Sequence, residues 1–200
     1  SLRRVWRAMD LVAPSKKLPA WVESFDTRAY PFSVKPDKKL TLNDVMNLHR
    51  DYYQNTEFDY SVKETGGLFA FPYCFSPYNK ERVISTTSIS YIWINQSHES
   101  LPAPVTWLAL TSPAESVFVP LPVAPITEDY SRVNRKVYDG SKMYWRVSAV
   151  GTITRAYYSV LAPLVKKKAQ ELEAQSMQLV RDISCRAGGR HDETGRHGDP

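Results

Sequence analysis

An α+β fold built around an antiparallel meander is what the sequence predicts, and three observations carry that prediction. Residues 83–96 are dense in β-branched and aromatic side chains, with no Gly or Pro to interrupt a ladder, the composition of a long strand. Prolines divide the apolar sequence that follows into two shorter runs, 105–111 and 116–121, because proline fixes φ and cannot donate to a ladder. On either side of this region, over 42–53 and 164–183, apolar residues recur at helical spacing instead.

Taken in order, Leu2, Val5, Trp6 and Met9 form an apolar stripe with Arg3, Arg4 and Arg7 on the opposite side, so the chain opens on a short amphipathic helix that Pro14 and Pro19 stop. The proline- and lysine-rich stretch to Lys39 carries Trp21, Phe25, Tyr30 and Phe32; so many aromatics predict an ordered extended segment lying over a core rather than a disordered linker. Thr41, with Asp44 three residues on, has the form of an N-cap for the helix over 42–53. His49 lies on or beside its apolar stripe, where packing is the ordinary role of a histidine. Gly66-Gly67 turns the chain into the aromatic run 68–75, in which Cys74 reads as a small buried hydrophobe. Arg82 stands at the mouth of the first strand, where a charged side chain reaches a site without being buried. Trp107 in the second strand reads as core.

After the strands, 127–140 is polar, 143–162 is read as a helix weakened by Gly151, and Pro163 kinks it or starts the next. The domain is expected to end near residue 185. Residues 186–200 hold half of the eight glycines, two of the four histidines and no large apolar side chain, a composition that predicts a disordered tail. His191 and His197 lack a third ligand for a metal site.

The whole chain, 200 residues with 42% hydrophobic and 24% charged, suits a single globular domain. No apolar run approaches the roughly 18–20 residues of a membrane span, so no membrane partner is expected. The net charge of +5 is scattered over lysine pairs and accompanies no recognition motif, which argues for a solvated surface and against nucleic acid. Two cysteines are too few for a disulfide framework or a zinc site and favour, weakly, a reducing, cytoplasmic setting. No phosphate-cradling loop, zinc spacing or nucleophile elbow occurs, so no cofactor and no metal are expected. The chain opens at Ser1 without an initiator methionine, on residues already patterned as a helix, and is expected to be a piece of a longer protein.

Three stretches carry a family resemblance. Leu42-Asn43-Asp44-Val45 followed by Arg50-Asp51-Tyr52-Tyr53-Gln54-Asn55-Thr56-Glu57-Phe58-Asp59 is similar to a helix and an R-D-x-Y-x-G-T-x-Y-D signature, with Asn55 at the glycine; either residue accepts a positive φ. Phe69 to Pro77 loosely matches an A-G-P-F-G-x-P turn, from which Phe71 and Cys74 depart. Arg82-Val83-Ile84-Ser85 resembles an R-x-I-S strand, and Trp107, Ala109 and Ser116 to Pro120 resemble the x-x-W-x-A and S-x-x-x-P strands after it. Together they resemble the C-terminal portion of the PepD-type cysteine dipeptidases, N-terminal-nucleophile hydrolases whose relatives include the secernins.

The resemblance implies an αββα sandwich with antiparallel strands and a C-terminal helical segment, and hydrolysis of dipeptides by a cysteine at a mature N-terminus whose own α-amine is the base. Neither Cys74 nor Cys185 fits that role, so no catalytic residue is assigned within the chain, and alone it is expected to be inactive. Arg82, Thr56 and Asp59 are the candidate substrate-binding residues, Arg82 because a guanidinium holds a carboxylate bidentately. An ion pair with Glu81 and turn capping by Thr56 and Asp59 are the structural readings of the same side chains. Dipeptides, an N-terminal half of the hydrolase and a second copy of the chain are the expected partners. The alternative function is a non-catalytic scaffold of secernin type.

Overall fold

Helix, then irregular chain rich in capped turns, then a small sheet, then helix again is the order in which the sequence folds. The computed structural model describes residues 2–22, 30–62, 66–72, 82–97, 104–122, 125, 127–130, 133–134 and 136–194, with side chains as far as Cys185. The chain divides into two units, Ser1–Ser88 with Ala156–Ser159, and Ile89–Arg155 with Val160–Pro200.

In the first unit α1 spans Leu2–Val12. Its buried residues include Trp6, but also Arg3 and Arg7, while Val5 is 41% exposed. The expectation that these arginines face solvent is therefore corrected. Arg7 finds a buried carboxylate, and the Arg3 guanidinium lies 3.4 Å from the centroid of the Phe58 ring and 5.5 Å from that of Trp21; both partners come from distant sequence and offset the cost of desolvation. A 3-10 turn, Pro14–Lys16, follows.

Helix α2, Leu42–His49, starts as its sequence predicts. The Thr41 hydroxyl accepts from the Asp44 amide at 3.2 Å, and the Asp44 carboxylate accepts from the Thr41 amide at 2.9 Å, a reciprocal capping box. These bonds, with Lys38 beside them, hold the Asp44 carboxyl down at about 2. The helix ends at His49 rather than at residue 53. Beyond it Tyr53 and Asn55 take φ of 69° and 62°, which a helix cannot continue through.

The second unit holds a three-stranded antiparallel sheet in the order β1-β2-β3, with β1 Tyr91–Gln96, β2 Val105–Leu110 and β3 Val119–Pro122. The first strand is shorter than the predicted 83–96. Residues up to Ser88 belong to the first unit, where Ser85 donates its amide to the Asp51 carbonyl at 2.9 Å instead of joining the ladder. Val105, Trp107 and Ala109 of β2 are buried and stand opposite Gln96, Ile94 and Ile92, so one face of the sheet turns to the core. Trp107, 1% exposed, is the core residue it was read to be, its indole donating to Gln96 Oε1 at 2.9 Å. Pro120 and Pro122 are accommodated because β3 is an edge strand.

Helix α3 runs Met143–Ala156 and α4 runs Tyr158–Thr194, with Pro163 inside it. The predicted break moves from Pro163 to Tyr157. Helix α4 also continues past residue 183 into the stretch read as a tail. It is fastened within its unit by Glu173, 2% exposed, which accepts from the Phe118 amide at 2.8 Å. No described helix is long and apolar enough to cross a membrane. Cys74, Glu81, 101–103 and most of the Phe69–Pro77 turn lie outside the described residues.

Candidate functional site

The first unit is organised around one buried carboxylate. Asp51, 0% exposed, follows directly on the C-terminal end of α2 and accepts from Arg7 Nε at 3.0 Å to each oxygen and from Nη2 at 2.8 Å. Its Oδ1 also accepts from the Tyr53 amide at 2.9 Å. Arg7 Nη2 continues to the Gln54 carbonyl at 3.0 Å, and Nη1 to Asp10 at 3.2 Å. A bidentate pair with its remaining donors satisfied keeps two charges stable in a place where either alone would be strongly destabilising.

This centre fixes the backbone that carries Arg82. Tyr53, 0% exposed, is held in its left-handed conformation by Asp51 below it, and donates its hydroxyl to the Arg82 carbonyl at 2.9 Å. Three residues on, Ser85 donates to the Asp51 carbonyl. Arg82 itself is exposed. The segment that begins with Arg82 is thus attached at two points to the signature turn, and the guanidinium extends from an anchored backbone.

Thr56 and Asp59 sit in the same turn. Thr56 Oγ1 donates to the Tyr53 carbonyl at 2.7 Å and accepts from the Phe58 amide at 3.1 Å. Asp59, 5% exposed, accepts from the Ser61 amide at 2.9 Å, the Ser61 hydroxyl at 2.6 Å and the Asn55 amide at 3.3 Å. Asn55, with its positive φ, does what glycine does at that place in the signature. All three candidates therefore lie on the signature turn or on the segment it anchors, with Thr56 and Asp59 engaged in the turn's own hydrogen bonds. His49 is half-buried, and burial lowers its pKa.

The second unit contains a feature that the sequence did not reveal. Glu115 ends the 3-10 helix Pro113–Glu115 after β2 and is 1% exposed. Its Oε2 accepts from Arg155 Nε at 2.7 Å, while Oε1 has no hydrogen-bond partner among the described residues. Burial outweighs the arginine and pushes the carboxyl up to about 7. A Cβ at Gly151 would lie 3.1 Å from Glu115 Oε2, so glycine on α3 leaves the room the carboxylate occupies. A lone glutamate between Ala114 and Ser116 carries no pattern that distinguishes it from a solvated one. Among the described residues no three His, Cys, Asp or Glu side chains come together as a metal site.

An α+β chain is the class that the antiparallel sheet and its helices define. The model of peptidase family C69 matches residues 2–171, and the chain belongs to that family, the PepD-type cysteine dipeptidases. No curated protein matches it.

Proposed function

We propose that the chain forms the substrate wall of a cysteine-type dipeptidase, an exopeptidase of the N-terminal-nucleophile kind, and that the nucleophile is a cysteine outside these 200 residues. Cys74 is internal to the chain, and Cys185 is an exposed residue of α4, so neither offers a thiol beside a free α-amine. In such an enzyme the α-amine, titrating near pH 8, takes the thiol proton while the thiolate attacks the scissile carbonyl. The chain alone is then inactive, and its partners are dipeptides, the N-terminal half of the hydrolase and, on exposed apolar surface, a second copy.

The observation that supports this reading most is the anchoring of Arg82. A backbone held by the Tyr53 hydroxyl and by Ser85 on Asp51 carries an exposed guanidinium, and the terminal carboxylate of a dipeptide is the planar anion a guanidinium pairs with bidentately. Thr56 and Asp59 enter through the turn whose shape they hold. In the assembled enzyme Arg82→Ala is expected to raise KM by roughly ten- to a hundredfold, the worth of hydrogen bonds to a charged group. Unchanged KM and kcat would remove Arg82 from the site.

One observation favours the second reading, a non-catalytic scaffold: Asp51, Thr56 and Asp59 are all engaged in hydrogen bonds that hold the fold. The two readings part on whether the protein carrying this chain also carries a cysteine that opens a strand at a mature N-terminus.

A further inference from the structure

Asn95-Gln96-Ser97 is the one Asn-x-Ser/Thr triplet in the sequence, the form in which an asparagine accepts an N-linked glycan, and the fold turns it outward. Asn95 belongs to β1, an edge strand of the sheet among the described residues. Alternation along the strand puts Asn95 and Ser97 on one side and Gln96 on the other. Asn95 and Ser97 are exposed, while Gln96 is half-buried and accepts from the indole of the buried Trp107 at 2.9 Å. The side-chain amide of Asn95 is oriented from across the sheet. Thr106, directly opposite, donates its hydroxyl to Asn95 Oδ1 at 2.9 Å, which leaves Nδ2, the atom that a glycan joins, without a partner among the described residues.

Two further features of this strand suit a sugar. Trp93, two residues before Asn95 and on the same side, is 56% exposed, and Tyr91 beyond it is 60% exposed. At about 3.3 Å per residue the indole is carried about 7 Å from Asn95 along the strand, within reach of the first sugar ring. The C–H face of a pyranose stacks on an aromatic ring and covers apolar surface that water otherwise wets. An edge strand also invites pairing with another chain, and a bulky group on it stands in the way. We propose that Asn95 is a site of N-glycosylation and that the first sugar of its glycan packs on Trp93. The donor is an oligosaccharide linked to a lipid diphosphate. Asn95 Nδ2 attacks the anomeric carbon of the first N-acetylhexosamine, the bond from that carbon to the phosphate oxygen breaks, the lipid diphosphate leaves with the electron pair, and the amide gives up one proton to a base of the transferase. Ser97 supplies the hydroxyl that the transferase reads. A glycan at Asn95 places the chain in a secretory lumen, against the cytoplasmic setting that two cysteines weakly favour. The modification is independent of peptide hydrolysis and holds for an enzyme and for a scaffold alike.

Peptide mass spectrometry of the protein isolated from its own cells, after peptide N-glycosidase digestion in heavy-oxygen water, tests the site. Asn95 is expected to be converted to heavy-oxygen aspartate in most copies, and only where the glycosidase was added; its recovery as unmodified asparagine would overturn the proposal. Secretion of the 200-residue chain from eukaryotic cells behind an added leader tests the acceptor. The secreted chain should migrate more slowly on a denaturing gel than the same chain made in bacteria, and the shift should vanish in Asn95→Gln and in Ser97→Ala but persist in Ser97→Thr. A shift that survives Asn95→Gln would overturn the assignment. Stacking on Trp93 is read from thermal midpoints. The glycosylated wild type should unfold roughly 2–4 °C above the bacterial chain, and Trp93→Ala, at an exposed position tolerant of truncation, should remove that difference while the glycan stays attached. The same difference in wild type and Trp93→Ala would overturn the role given to Trp93.

Discussion

Replacing Glu115 by Gln should change how the stability of the chain depends on pH. In the folded chain burial holds the carboxyl at about 7 against an ordinary value of 4.5. Between those two values the folded state keeps a proton that the unfolded state has released, so the unfolded state binds fewer protons and stability falls as pH rises. The loss begins near pH 4.5 and is complete a little above pH 7. At about 1.4 kcal/mol per pKa unit, it amounts to about 3 kcal/mol at most. His49 acts with the opposite sign: its pKa is lowered by burial, so it adds stability as pH rises toward its ordinary value. The difference between wild type and Glu115→Gln removes that contribution. The assay is urea unfolding followed by far-ultraviolet circular dichroism from about pH 5 to pH 8. Wild type should lose up to about 3 kcal/mol relative to the variant across the window. A difference that is flat, or that grows in favour of wild type as pH rises, would mean that the Arg155 pair governs this carboxyl and that burial does not.

Other outcomes follow from the first unit. Arg7→Met leaves Asp51 buried with its ion partner gone and should destabilise the chain by about 3–5 kcal/mol in the same urea assay; a change below about 1 kcal/mol would mean that the pair is not buried in solution. Asn55→Gly should be neutral, whereas Asn55→Ala should cost about 1 kcal/mol, because the turn needs a positive φ; equal effects would place Asn55 outside the left-handed region. Thr41→Ala should lower stability by about 1 kcal/mol through loss of the cap of α2, measured by the shift in thermal midpoint.

Features set by neighbours in sequence were legible, and those set by distant partners were not. The Thr41–Asp44 cap and the positive φ at Asn55 depend on residues within a few positions, and both are as the sequence predicts. The inward turn of Arg3 and Arg7 was hidden because their partners, Phe58 and Asp51, lie more than forty residues away along the chain. Residues 83–90 have every local mark of a strand, yet Ser85 bonds to Asp51 and the unit boundary falls at Ser88, so the ladder begins only at Tyr91. The candidates Arg82, Thr56 and Asp59 were singled out by their motif, but the hydrogen bond that ties the Arg82 backbone to Tyr53 was not legible there. Glu115 was invisible because what makes it unusual is its burial against α3, and a single polar residue carries no periodicity.

The central claim is that this chain supplies the substrate wall of a dipeptidase whose nucleophile comes from elsewhere. The most direct measurement is release of free amino acids from dipeptides by the purified chain, alone and mixed with the N-terminal half of a related dipeptidase. The account predicts activity in the mixture and none in the chain alone. Activity in the chain alone would contradict the assignment of the nucleophile, and activity in neither would contradict the claim that this wall serves a hydrolase.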